Sequence, residues 1–153
     1  MVQSIRSRAS LAALAVMLAW ATPTSAEDHG LVVITHPSRA TSLSAGDLRR
    51  FFMKQRRFWS DGSPVIAVNQ TAATPVRTAF ERLVFGHDAA SLPAYWNQRY
   101  FEGLFPPITL DSDEAVLRYV ATKANAIGYI DTRSVDGSVH VALRLGAPEI
   151  AGP

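Results

Sequence analysis

The sequence contains no cysteine. This excludes disulfide staples, thiolate nucleophiles, cysteine zinc sites and a lipid anchor carried on a cysteine. Catalytic signatures are missing as well: there is no Gly-x-Ser-x-Gly elbow, no P-loop and no dinucleotide fingerprint. The four histidines, His29, His36, His87 and His140, stand at no spacing that builds a zinc site. Long apolar runs are scarce too. The one candidate, residues 11–21, is too short to cross a bilayer as a stable helix. These absences point to a non-enzymatic domain without metal or cofactor.

The apolar run has a different meaning in its context. Arg6 and Arg8 precede it, Thr24-Ser25-Ala26 supplies small residues after it, and Glu27-Asp28 come next. A basic start, a short apolar stretch and small residues at a cleavage point make an export signal. Residues 1–26 are therefore expected to be a cleavable signal peptide, and residues 27–153 a single mature domain in the periplasm. The charge balance changes with this. The chain has 15 Lys+Arg and 13 Asp+Glu, and two of the arginines leave with the signal, so the mature charges balance at 13 each. A neutral mature chain argues against a nucleic acid partner. Its 127 residues, 153 less the 26 of the signal, suit one domain that folds on its core alone.

Periodicity supplies the elements. Residues 31–35 (LVVIT) read as a buried strand stopped at His36-Pro37. Ser44 with Asp47 three residues on is a capping box, opening a helix whose apolar face is Leu48, Phe51 and Phe52. Asp61-Gly62 marks a turn. Residues 89–102 give an aromatic helix with Leu92, Tyr95, Trp96, Tyr100 and Phe101, ended by Gly103 and Pro106-Pro107. Residues 113–123 form another helix with Val116, Leu117 and Val120 inward. Residues 126–130 are a short strand. In residues 139–145, Val139, Val141, Leu143 and Leu145 alternate, which predicts one apolar face on a final strand. The expected fold class is α/β, a mixed sheet flanked by helices.

The most informative stretch is residues 64–86. Val65, Ile66 and Val68 make a β-branched strand, and a polar turn leads to a helix with Thr74 at the N-cap and Pro75 at the first helical position. Arg77 lies in the first turn, and Val76, Phe80, Leu83 and Val84 recur at helical spacing. Backbone N–H groups, the positive end of a helix dipole, a hydroxyl and a guanidinium meet at one point, the chemistry of a small-anion site. An ordinary capped helix is the plainer account of the same residues. Plainer accounts also cover the rest. Asp111, Asp113 and Glu114 are an acidic first turn, the cluster Arg49, Arg50, Lys54, Arg56 and Arg57 is a solvated basic face, and Trp59 is a plug under its loop.

An ordered set runs through Leu43-Ser44, Asp47-Leu48, Phe52, Trp59-Ser60-Asp61-Gly62, Arg77, Phe80, Tyr95-Trp96, Phe101-x-Gly103, Pro106-Pro107 and Ala126-Ile127-Gly128-Tyr129. Over residues 31–131 this resembles the substrate-binding proteins of phosphate ABC transporters, in particular their short single-domain relatives. The resemblance implies a type II periplasmic-binding-protein fold, of which this chain supplies a single lobe or a reduced form. In those binders an arginine leaves the strand and a Ser-Gly-Thr run opens the helix. Aligned from Phe80, that run falls on Thr74, Pro75 and Val76, and the arginine on Gln70 or Asn69. One hydroxyl survives, the arginine becomes an amide, and Pro75 removes a backbone donor.

Two readings result. In the first, phosphate or a similar small oxyanion is held weakly by Asn69, Gln70, Thr71, Thr74, Val76 and Arg77, with Thr35-His36 at the end of the first strand also near the cleft. In the second, the domain is an interaction or regulatory module that has lost ligand binding, and its basic face meets a transporter component or another periplasmic partner.

Overall fold

A computed structural model of the chain describes residues 30–72 and 74–146. The expected signal peptide and the C-terminal tail lie outside the described residues. Five strands form one mixed sheet in the order β3-β2-β4-β1-β5: β1 Leu31–Thr35, β2 Ile66–Gln70, β3 Ile108–Leu110, β4 Ala126–Asp131 and β5 His140–Leu145. Four α-helices flank it: α1 Ala45–Phe52, α2 Pro75–Phe85, α3 Leu92–Phe101 and α4 Asp113–Thr122. The α/β class and the mixed sheet agree with the sequence reading. Strand β3, three residues on the sheet edge parallel to β2, was not anticipated. Among the described residues no helix is long and apolar enough to cross a membrane.

The strands alternate between two cores. Leu31, Val33, Ala67, Ile127 and Tyr129 face a ring-rich layer with Phe51, Phe52, Trp59, Phe80 and Phe85 from the α1 and α2 side. Val32, Ile34, Val68, Ala126 and Ile130 face an aliphatic layer closed by Val116 and Val120 of α4. Phe80 stacks on Tyr129 with ring centroids 3.8 Å apart and planes 3° from parallel. On the other face Gly128 lets α4 settle on the sheet: a Cβ there would lie 2.6 Å from Val116 Cγ1.

Residues 139–145 depart from the one-face expectation. The β1–β5 register shifts between Val33, opposite Leu143, and Ile34, opposite Val141. Ala142 is the extra residue of a β-bulge, and a bulge reverses the facing of the side chains beyond it. Leu143 and Leu145 therefore join the aromatic core while Val139 and Val141 pack with the aliphatic one.

The helix ends behave as their sequences dictate. Ser44 and Asp47 form the reciprocal capping box of α1. Past its end, Lys54 takes the left-handed conformation (φ 53°) while the Gln55 and Arg56 N–H groups return to the Arg50 carbonyl, the hydrogen-bonding of a helix terminator usually built on glycine. Trp59 closes the aromatic core as expected. Its Nε1 donates to the Asn125 carbonyl at 3.1 Å and the Arg39 guanidinium lies 4.5 Å over its ring.

Candidate solute-binding cleft

Because β2 alternates, its last two side chains part company. Asn69 points to the aromatic side, where the Tyr129 hydroxyl donates to its Oδ1 at 2.6 Å and accepts the Gln70 backbone N–H at 3.2 Å. Burial pushes the Tyr129 phenol well above its ordinary range, so it stays a neutral donor. With its oxygen engaged, Asn69 is left with an amide NH₂ to offer.

Gln70 turns to the opposite face. It is buried, and its Nε2 donates to Asp113 Oδ1 at 2.6 Å and to the Tyr129 carbonyl at 3.0 Å. Asp113 also accepts from the Asp131 N–H and the Ser134 hydroxyl. Its place in an acidic first turn is thus only part of its role, and Gln70 braces the sheet rather than facing the cleft.

The turn into α2 uses most of its polar groups on itself. Thr74 Oγ1 accepts the Arg77 N–H at 3.2 Å and donates to the Thr71 carbonyl at 2.9 Å. The Thr78 N–H goes to the Thr74 carbonyl, and Pro75 has none. The Val76 amide is the first-turn donor the cap does not take, while the Val76 side chain packs against the aromatic core. Arg77 donates from Nε to Glu81 at 2.6 Å and from Nη1 to the Gln70 carbonyl at 2.8 Å. Its side chain is 19% exposed and that of Glu81 26%.

Asn69, Arg77 and Glu81 border a cleft of about 340 Å³ beside the C-terminal end of β2 and along β3. Asn69, Arg77, Glu81 and Thr109 supply its polar surface. Leu92, Pro93 and Trp96 of α3 form one apolar wall, and Pro106-Pro107 contribute more. Of the six residues expected at an anion site, Asn69 and Arg77 line the cleft. Gln70 faces away, and Thr71, Thr74 and Val76 are not part of its lining. Thr35 and His36 lie elsewhere: β1 is antiparallel to β4 and β4 parallel to β2, so β1 ends at the opposite side of the sheet. Glu81, Trp96, Pro106, Pro107 and Thr109 were missed. The Arg77–Glu81 spacing of four was a signal for the first of them.

The basic face is not the open patch its sequence suggests. Arg49 pairs with Asp88 at 2.8 Å, while Arg50 and Arg56 both reach Asp47, at 2.8 and 3.4 Å. The Arg57 guanidinium lies 5.9 Å from the Phe58 ring centroid. Among the described residues no cluster of His, Asp or Glu forms a candidate metal site.

No protein-family model matches the chain, and no curated protein matches it in sequence. Its fold does match solved structures. An ABC-type phosphate transport receptor from Vibrio cholerae superposes with a TM-score of 0.58 at 21% identity, over 74% of this chain and 45% of the receptor. A protein from Clostridium perfringens, crystallised with bound phosphate and assigned as a phosphate ABC transporter substrate-binding protein, gives 0.61 at 23% identity, over 75% and 44%. PstS from Borrelia burgdorferi gives 0.57 at 16%, over 74% and 46%. At such identities the likeness is one of fold, and the chain spans less than half the length of each of these proteins. Its fold is thus similar to part of these phosphate transport proteins.

Proposed function

We propose that this chain is an exported solute-binding-like domain, not an enzyme, that holds phosphate or a similar small oxyanion weakly in the cleft between β2, α2 and α3. The observation that carries this reading is the cleft itself. Asn69 and Arg77 bring an amide and a guanidinium to the C-terminal end of β2, beside its parallel neighbour β3 and the start of a helix, the end of an open α/β sheet where ligands gather.

The weakness has a physical cause. A charge-assisted hydrogen bond contributes about 1.5–3 kcal/mol, and a guanidinium already engaged by a carboxylate gives up part of that to an incoming anion. A helix terminus in water adds only about 0.3–1 kcal/mol. Titration calorimetry of residues 27–153 with phosphate, sulfate and molybdate tests the reading. Heats are expected in the millimolar range, and they should vanish in Arg77→Ala. An absence of heat with all three anions rejects it. Export is tested separately, by N-terminal sequencing of the chain recovered from a bacterial periplasm. A start at Glu27 supports cleavage after Ala26, and an intact N-terminus in the cytoplasm refutes it.

The interaction-module reading is favoured by one observation, and it is not the basic face. Tyr100, Phe101 and Phe105 form an aromatic cluster with exposures of 60, 88 and 55%. Exposed apolar patches of this kind mark contact surfaces. Under this reading Phe101→Ser abolishes capture of a periplasmic or transporter partner, while charge reversal at Arg49 and Arg50 has little effect. The opposite pattern would reject it.

A further inference from the structure

The charged groups of the cleft cancel. Arg77 and Glu81 are held at 2.6 Å and both line it, so an anion approaching the guanidinium also approaches a fixed carboxylate. Attraction to Arg77 and repulsion from Glu81 both grow in proportion to the ligand's charge, so the pair offers little net pull, while the cost of desolvating an ion grows as the square of its charge and falls hardest on a dianion. The rest of the lining is also poorly matched to a bare oxyanion. Leu92, Pro93 and Trp96 share a helix face, the prolines 106 and 107 contribute a second apolar surface, and an inorganic ion would leave both wet. At about 340 Å³ the cleft falls within the roughly 300–1,000 Å³ typical of pockets for organic molecules. The α3 wall is also held in place. Tyr95 meets the Trp96 ring edge-on at 5.0 Å and its hydroxyl donates to the Met53 carbonyl at 2.7 Å, tying α3 to the end of α1.

From these observations we infer that the cleft prefers a singly charged organic acid with a flat apolar body, seated on Trp96, and that Glu81 is the residue that discriminates against more highly charged oxyanions. The inference rests on the reading of the cleft as an anion site. It also gives a role to Trp96 and Pro106-Pro107, which are otherwise only helix packing and a helix stop.

Calorimetry with two probes, benzoate and inorganic phosphate, separates the inference from the reading beneath it. The mature chain is expected to bind benzoate roughly tenfold tighter than phosphate, the scale of one aromatic contact. Trp96→Ala should erase that preference with phosphate affinity unchanged, and Trp96→Phe should keep most of it, which controls for folding. Glu81→Gln should raise phosphate affinity more than benzoate affinity. Phosphate binding as tightly as benzoate overturns the inference and leaves the weak-oxyanion reading standing. So does a preference indifferent to Trp96→Ala. A phosphate-to-benzoate ratio unchanged by Glu81→Gln removes Glu81 as the discriminating group. If neither probe binds the natural chain or Glu81→Gln, both readings fall.

Discussion

The two faces of the sheet are built on opposite plans. On one, Phe51, Phe52, Phe80 and Tyr129 fill the layer with rings, and several helices share the cover. On the other, Val32, Ile34, Val68, Val116 and Val120 fill it with small branched side chains under the single helix α4. The cleft lies on the ring-filled side, bordered by Asn69 of β2, by Arg77 and Glu81 of α2 and by Leu92, Pro93 and Trp96 of α3. On the other side α4 sits directly on Gly128, with Val116 and Val120 against the strand. The face covered by several helices is the one that carries the candidate site, and the face under α4 backs the same strands.

If this contrast is right, the faces should fail in opposite ways. The largest effect is expected from Phe80→Ala. It removes the ring stacked on Tyr129 and packed 4.7 Å from Phe52, and should cost about 3–5 kcal/mol in urea unfolding. The aliphatic face should instead be broken by addition. Gly128→Ala drives a methyl to 2.6 Å from Val116 Cγ1 and 3.3 Å from Val120 Cγ2, and stiff β-branched neighbours yield poorly. A loss of about 1–3 kcal/mol is expected. A neutral Gly128→Ala would show that α4 floats on the sheet, and the contrast would be lost.

A smaller effect distinguishes the helices that cover the two faces. Ser44→Ala in α1 and Ser112→Ala in α4 each remove an N-cap hydroxyl, at about 0.5–2 kcal/mol. In α1 the cap also holds a carboxylate. Hydrogen bonds from the Ser44 hydroxyl and N–H, and from Arg50, lower Asp47 from 3.8 to about 2. A carboxyl depressed in the folded state stabilises above its unfolded value, and that contribution disappears as the pH falls from 3.8 through about 2. Urea midpoints across that window should drop for the natural chain and drop less for Ser44→Ala, whose Asp47 has lost its first partner. Equal slopes would mean that the box does not couple α1 to acid.

Much of the architecture was legible, because periodicity and caps act locally. The Ser44–Asp47 box, the Thr74 cap and the β-branched strands all arise from residues within a few positions of one another. Strand β3 escaped because three residues after a proline pair carry no alternation, and its pairing with β2 is a tertiary event. The Ala142 bulge escaped because a strict period of two is what a bulge violates. The candidate site was legible only in part. Asn69 and Arg77 were anticipated at the cleft. Gln70 was misplaced although neighbours on a strand must face opposite ways, a rule that would have separated it from Asn69. Trp96, Pro106 and Thr109 reach the cleft from segments distant in the chain, and no local pattern announces that.

Asp113 gives the face under α4 a share in whatever the cleft does. By gripping Gln70 at the end of β2 and the Asp131 N–H at the end of β4, it fixes the rear of the strand that presents Asn69. A solute in the proposed cleft would not meet this carboxylate, yet it would feel the carboxylate's hold through one residue of backbone. If the cleft holds a guest, the domain carries a handle on its blind side, where a change too remote to touch that guest would still retune how it is held.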